Sequence, residues 1–131
     1  MSSTVRCLPI ILGLALLPSA LTAQTLEPGA VLFQDYCAQC HGEDGRGGGP
    51  LVQLRPGPLP DLRTLSQRNG GAFPFERVVE TVSGDAVIDM HGERYMPPWG
   101  QIFQFKEDSG DVMAHARILN LVWYLSTIQI D

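Results

Sequence analysis

From Glu27 onward, short amphipathic stretches alternate with runs of glycine and proline that neither a helix nor a central strand can hold. Ala30, Phe33, Cys37 and Cys40 recur at i, i+3, i+7 and i+10, one face of a helix. Glu27-Pro28-Gly29 suits its start, because the missing N–H of Pro28 would have no intrahelical partner in the first turn. Asp61 reads as the N-cap of a short helix through Arg68, stopped by Asn69-Gly70-Gly71. A further helix begins at Pro74, sets Phe75, Val78, Val79 and Val82 on one face, and stops at Gly84. The last helix, capped by Asp108 or Ser109, runs to about Ile128. Its stripe is Val112, Ala116, Leu119 and Trp123, broadened by Ile118, Leu121, Val122 and Leu125. So wide an apolar face calls for two packing partners, and the first helix is one, with Gly29 and Phe33 meeting Leu121 and Tyr124. The expected fold is all-α, three to five helices with the terminal pair crossing.

The residues before this pattern belong to something else. Arg6 gives a small positive start, Leu8 to Leu17 is an apolar run shorter than the ~20 residues a membrane span needs, and Ser19-Ala20-Leu21-Thr22-Ala23 supplies small residues for a signal peptidase. Residues 1–23 are expected to be a cleaved signal peptide and 24–131 the mature domain, exported to the periplasm with no stable membrane insertion after cleavage. An uncleaved anchor is the opposing reading; Pro9 and Pro18 interrupt the run it would need.

Composition narrows the partners. Nine Lys and Arg stand against fourteen Asp and Glu, a net charge of −5, and loss of Arg6 makes it 8 − 14 = −6. An acidic chain is poorly suited to nucleic acid, whose phosphates need Lys and Arg, or to anionic lipid.

Of the three cysteines, Cys7 leaves with the signal, and the remaining two fall in Cys37-Ala38-Gln39-Cys40-His41. A C-x-x-C-H run in an exported chain is the attachment signature of a c-type haem. The spacing puts both sulfurs on one side of about one helical turn, where they serve as thioether anchors, and His41 can swing beneath the ring as the proximal iron ligand. A redox dithiol would be expected beside a βαβ pattern, which is absent. Zinc would need four closed ligands from two cysteines and three histidines. Five glycines between Gly42 and Gly49 lead to Pro50. They allow close backbone approach to a flat cofactor, and a carbonyl near Pro50 is placed to accept the second ring N–H of His41; a surface loop is the plain alternative.

The iron's other face decides function, since a filled site favours electron transfer and an open one permits gas or peroxide chemistry. Candidates are Met90, His91, Met96, Met113 and His115. Met96 is preferred because Pro97 and Pro98 fix the backbone just after a flexible thioether. His91 is the runner-up, Met90 and Met113 read as packing residues, and His115 as a helix surface residue. Tyr95 and Trp99 flank the methionine, as haem-edge groups or as core. Arg55, Arg63 and Arg68 are either partners of haem propionates or solvated surface arginines.

Taken together, Gly29-x-x-x-Phe33-x-x-Tyr36-Cys37-x-x-Cys40-His41-Gly42, Pro60-Asp61-Leu62, Met96-Pro97-x-Trp99 and Leu121-x-x-Tyr124-Leu125 resemble a bacterial class I monohaem cytochrome c. The resemblance implies a small all-α cytochrome c domain over 24–131 around one covalent haem c, with Cys37 and Cys40 as thioether anchors and His41 and Met96 as axial ligands. It implies a monomer that carries single electrons between a donor and an acceptor redox protein in the periplasm and is not itself an enzyme. The other reading is a haem c relay subunit of a periplasmic oxidoreductase complex; a third is a gas sensor or peroxidase with an open sixth site. One departure from the family matters: where known carriers often show a lysine-rich rim, this chain has the single lysine Lys106, so its redox partner must recognise an acidic or largely neutral face.

Overall fold

The computed structural model describes residues 27–54, 57–86, 96–106 and 110–130. Its first element is one helical rod in three parts: α1 (Gly29–Leu32), a π-helical turn (Phe33–Cys37) and α2 (Ala38–His41). Pro28 stands one place before the first turn, in extended backbone, and its carbonyl accepts the N–H groups of Val31 and Leu32 at 3.0 and 3.1 Å. The π turn changes which residues face inward. Its ring closes from i to i+5, and the buried residues are Leu32 with Cys37 and Phe33 with Ala38, each pair five apart. Ala30, expected on the buried stripe, is exposed, and Cys40 is half-buried.

The Gly- and Pro-rich middle carries short 3-10 helices at Pro50–Leu54 and Leu62–Thr64, the latter running into α3 (Leu65–Arg68). Asp61 caps this unit as expected, its carboxylate accepting the N–H of Arg63 at 2.9 Å. The side chain of Gln129, just past the last helix, donates to the Leu62 carbonyl and accepts the Ser66 N–H, both at 2.9 Å, which fastens the chain's end to this segment. The helix expected from Pro74 is α4 (Phe75–Ser83), with Val78 and Val82 buried, Phe75 and Val79 packed against the core, and Gly84 ending it at φ 92°.

A helix the sequence pattern does not announce, α5 (Trp99–Lys106), follows the two prolines. Proline forbids a helix interior but costs nothing just ahead of the first turn, and the carbonyl of Pro98 accepts the N–H of Ile102 at 3.2 Å. Phe103, one α-helical turn beyond Trp99, is buried in the core.

The last helix, α6 (Gly110–Thr127), is the longest. Ala114, Ile118, Leu121, Val122 and Leu125 are buried. The other half of the expected stripe is not: Val112, Leu119 and Trp123 lie outward, 80%, 37% and 66% exposed. The helix is apolar almost all round, but α1, α4 and α5 pack against it only on the inner side. The terminal pairing itself is as expected. A Cβ on Gly29 would collide with the carbonyl oxygen of Asn120 and lie 2.8 Å from Tyr124 Cβ, so only glycine lets the rod approach α6 so closely. The Asn120 amide donates to the Glu27 carbonyl at 3.0 Å, and the Phe33 and Tyr124 rings meet at 5.5 Å.

The fold is all-α; among the described residues there is no strand. None of the described helices is long and apolar enough to cross a membrane. The expected signal segment 1–23 lies outside the described residues, as do Asp108 and Ser109.

Candidate functional site

The rod, α4, the Met96 segment and α6 enclose a cavity of about 650 Å³, within the ~300–1,000 Å³ of sites that engulf a whole small molecule. One wall is Cys37, Cys40 and His41. Apolar side chains make most of the rest: Phe33 behind the cysteines, Val78 and Val82 from α4, Leu121 and Leu125 from α6, and Leu59, Leu62 and Leu65 from the middle segment. Met96, Pro97 and Trp99 also line it.

The His41 wall is held from behind by the glycine run. The N–H of Gly47 donates to the His41 carbonyl at 2.7 Å, and that of Gly49 to the Cys40 carbonyl at 3.1 Å. These carbonyls end a helix and need such partners. A Cβ on Gly49 would lie 2.5 Å from the Ala38 carbonyl oxygen and 2.6 Å from the Cys40 carbonyl carbon. This glycine therefore serves backbone approaching backbone behind the cysteines, rather than backbone approaching a flat cofactor.

Cys37 and Cys40 are not joined in a disulfide. Burial, and secondarily the nearby Cys40, pushes the Cys37 thiol up to about 12, so it stays protonated at neutral pH. A protonated buried thiol is a poor metal ligand, and among the described residues no group of three or more His, Cys, Asp or Glu is disposed to hold a bare metal ion. Nδ1 of His41 is covered from solvent and cavity alike, which leaves Nε2 as the ring nitrogen for a ligand to meet.

The rest of the lining separates the candidates for a second axial group. Met113 and His115 sit on α6 away from the cavity lining, His115 exposed; Met96 is on the lining, half-buried and packed against the core. Met90, His91 and Tyr95 lie outside the described residues. Trp99 ties the Met96 part of the lining to the first wall. Its ring lies 5.3 Å from that of Tyr36, the residue before Cys37, and both pack on Phe103, at 5.7 and 5.2 Å.

The arginines divide. Arg63 is turned onto Asp61, Nη2 to Oδ2 at 2.7 Å and Nε to Oδ1 at 3.0 Å, and the bond from Arg63 holds the Asp61 carboxyl down at about 2. Arg63 does not line the cavity. Arg68 does, its guanidinium donating to the Asp61 and Thr64 carbonyls at 2.8 and 3.4 Å; Arg55 is outside the described residues. Arg77 is a lining cation that the sequence reading passed over. The signal was present: Arg77 and Thr81 precede Val78 and Val82 by one residue each, so all four share one side of α4.

This chemistry fits a flat, largely apolar group carrying acidic substituents, fixed through two adjacent thiols and met by an imidazole and a thioether. It is the donor set a covalently attached haem requires. Comparison with curated proteins and with solved structures returned no match. Residues 26–128 match the family described as cytochrome c, a span that contains every residue lining the cavity, and the chain belongs to the cytochrome c family.

Proposed function

We propose that this cytochrome c carries single electrons between larger redox proteins in the periplasm, with Cys37 and Cys40 as thioether anchors and His41 and Met96 as axial ligands. Family membership sets the coarser part: a covalently bound haem c, its iron, and electron transfer. The observation that carries the finer part is that Met96, far from the attachment motif in sequence, shares one cavity with Cys37, Cys40 and His41.

Bound haem c supplies the ferric/ferrous couple. Cys37 and Cys40 would hold the group through their sulfurs, and neither is engaged in a disulfide. His41 offers Nε2, while its covered Nδ1 and the bonds from Gly47 and Gly49 to the neighbouring carbonyls fix the ring's placement. Met96 offers an uncharged sulfur that favours the reduced iron. The mostly apolar lining leaves few polar groups to reorganise when charge changes. With His41 and Met96 each supplying a donor, the site would leave no position for a substrate, which is what a carrier needs and a ligand-binding enzyme does not. Export supports the periplasmic setting: the first 23 residues have the composition of a cleaved signal peptide.

The test is Met96→Ala in the haem-loaded protein. The weak sulfur-to-ferric-iron charge-transfer band should vanish and the reduction potential should fall, with covalent haem retained. If band and potential both survive, Met96 is not the ligand. Rapid carbon monoxide binding to the native ferrous protein would indicate an open site and a sensor or peroxidase instead.

A further inference from the structure

The outward side of α6 is the largest feature that the electron-transfer reading leaves unused. Val112, Ala116, Leu119 and Trp123 follow one another at intervals of four, three and four residues. These are a/d-type intervals, so the four residues form one apolar stripe along about three turns of the helix. Trp123 and Val112 stand largely in solvent. Among the described residues no element packs over this side; the core-facing stripe is the opposite one.

We propose that a second copy of this chain covers the outer stripe, through an antiparallel pairing of two α6 helices. The residues complement themselves only in that direction. Run antiparallel, Trp123 lies across from Val112 of the other copy and Leu119 across from Ala116, so large meets small in all four layers. Run parallel, Trp123 would meet Trp123 and Ala116 would meet Ala116, crowding one layer and leaving a gap in another.

Charge favours the same occupant. For a chain of net charge −5, two copies approach with least repulsion where carboxylates are scarce. Beside the stripe stand Met113, His115, Asn120, Ser126 and Thr127, none of them a carboxylate, with Asp111 at one end. They also lack the Lys and Arg with which a helix lying on a membrane flanks its apolar side. Arg117, the nearest cation in sequence, is drawn over the Phe103 ring on the inner side. One helix face offers less than the ~800 Å² per partner of a standard interface, so the pairing is concentration-dependent, not obligate. Because the cavity is lined by Leu121 and Leu125 on the inner stripe, the pairing leaves both cavities on the outer sides of the dimer, open to redox partners. The monomer expected from the sequence is then the dilute form.

Sedimentation of the haem-loaded protein from about 1 μM to about 1 mM tests this, alongside Val112→Glu, Trp123→Lys and the two combined. The wild type should pass from monomer to dimer within that range. Each single charge should weaken dimerisation at least about tenfold with an unchanged haem spectrum, and the combined variant should recover it, because antiparallel pairing places Glu across from Lys. A wild type that stays monomeric throughout overturns the proposal, as does self-association that survives both single charges. Failure of the combined variant to recover rules out the antiparallel register. Retention on neutral lipid vesicles, or a stoichiometric foreign subunit on the face in the native complex, would replace the second copy with another occupant.

Discussion

The two walls of the cavity are built by opposite means. The Cys37–His41 wall is five consecutive residues on one rod, and its exposed helix-end carbonyls are taken up by Gly47 and Gly49. Its geometry is set locally and closed by backbone. The Met96 wall rests on a single side chain between a segment outside the described residues and two prolines. What positions it is tertiary: Trp99, three residues on, leans on Tyr36 of the first wall and on Phe103 of α5. On the proposed assignment, the first wall would hold the haem by itself, and the second could loosen without releasing it.

Removing the covalent anchors should have the largest effect. Cys37→Ser with Cys40→Ser should abolish haem attachment, read as loss of haem signal after denaturing electrophoresis; a signal that persists would mean the anchors lie elsewhere. Next comes the backbone behind them. Gly49→Ala drives a methyl into the Ala38 and Cys40 carbonyl groups and should cost about 3 kcal/mol. Gly48→Ala meets nothing within 4 Å and should stay within about 0.5 kcal/mol. Equal losses in denaturant melts would break the claim that this wall is closed by backbone contact.

The tie between the walls gives a smaller and more selective effect. Tyr36→Leu removes its ring contacts to Trp99 and Phe103, worth about 0.5–1.5 kcal/mol each, and should free the Met96 side more than the His41 side. Added imidazole should then displace the methionine up to about tenfold more readily, with covalent haem untouched. Unchanged imidazole affinity would mean that the second wall is held by something other than this aromatic contact.

How far the sequence foretold these walls follows the same division. That Cys37, Cys40 and His41 stand together on one wall was legible because they are contiguous, and the Pro74–Gly84 helix because its period and stop are local. Three features were not. The π turn moves Leu32 inward and Ala30 outward, and no residue type marks where a helix takes five residues to close. The helix α5 hides behind Pro97-Pro98, read as a break when the second proline heads a helix. The outer stripe of α6 carries the same apolar pattern as the inner one, and only the placement of α1, α4 and α5 shows which is buried. Arg63 and Arg68 looked alike as cations near an acidic cofactor. Their difference is one carboxylate, Asp61, which occupies the first and leaves the second on the cavity.

That carboxylate supports the smallest prediction. The Asp61 carboxyl lies at about 2, chiefly through its hydrogen bonds from Arg63, below the ~3.9 of an unfolded aspartate. A lowered value means that the charged form stabilises the folded chain: the contribution is complete above about pH 4 and is lost as pH falls towards 2. Asp61 caps the segment whose Leu62 N–H is bonded to the Gly45 carbonyl at 2.8 Å, so the loss falls on the His41 side, behind the glycine run. A methionine thioether takes up no proton in this range. Acid titration of melting temperature should therefore show a component between about pH 4 and pH 2 that is missing in Asp61→Asn, whose stability at pH 7 is slightly lower. The component should be modest, because the pair is partly open to water. Within that window the Met96 charge-transfer band should follow unfolding, not precede it. A band lost before any unfolding would show that acid reaches the Met96 side first, and the contrast drawn between the two walls would be reversed.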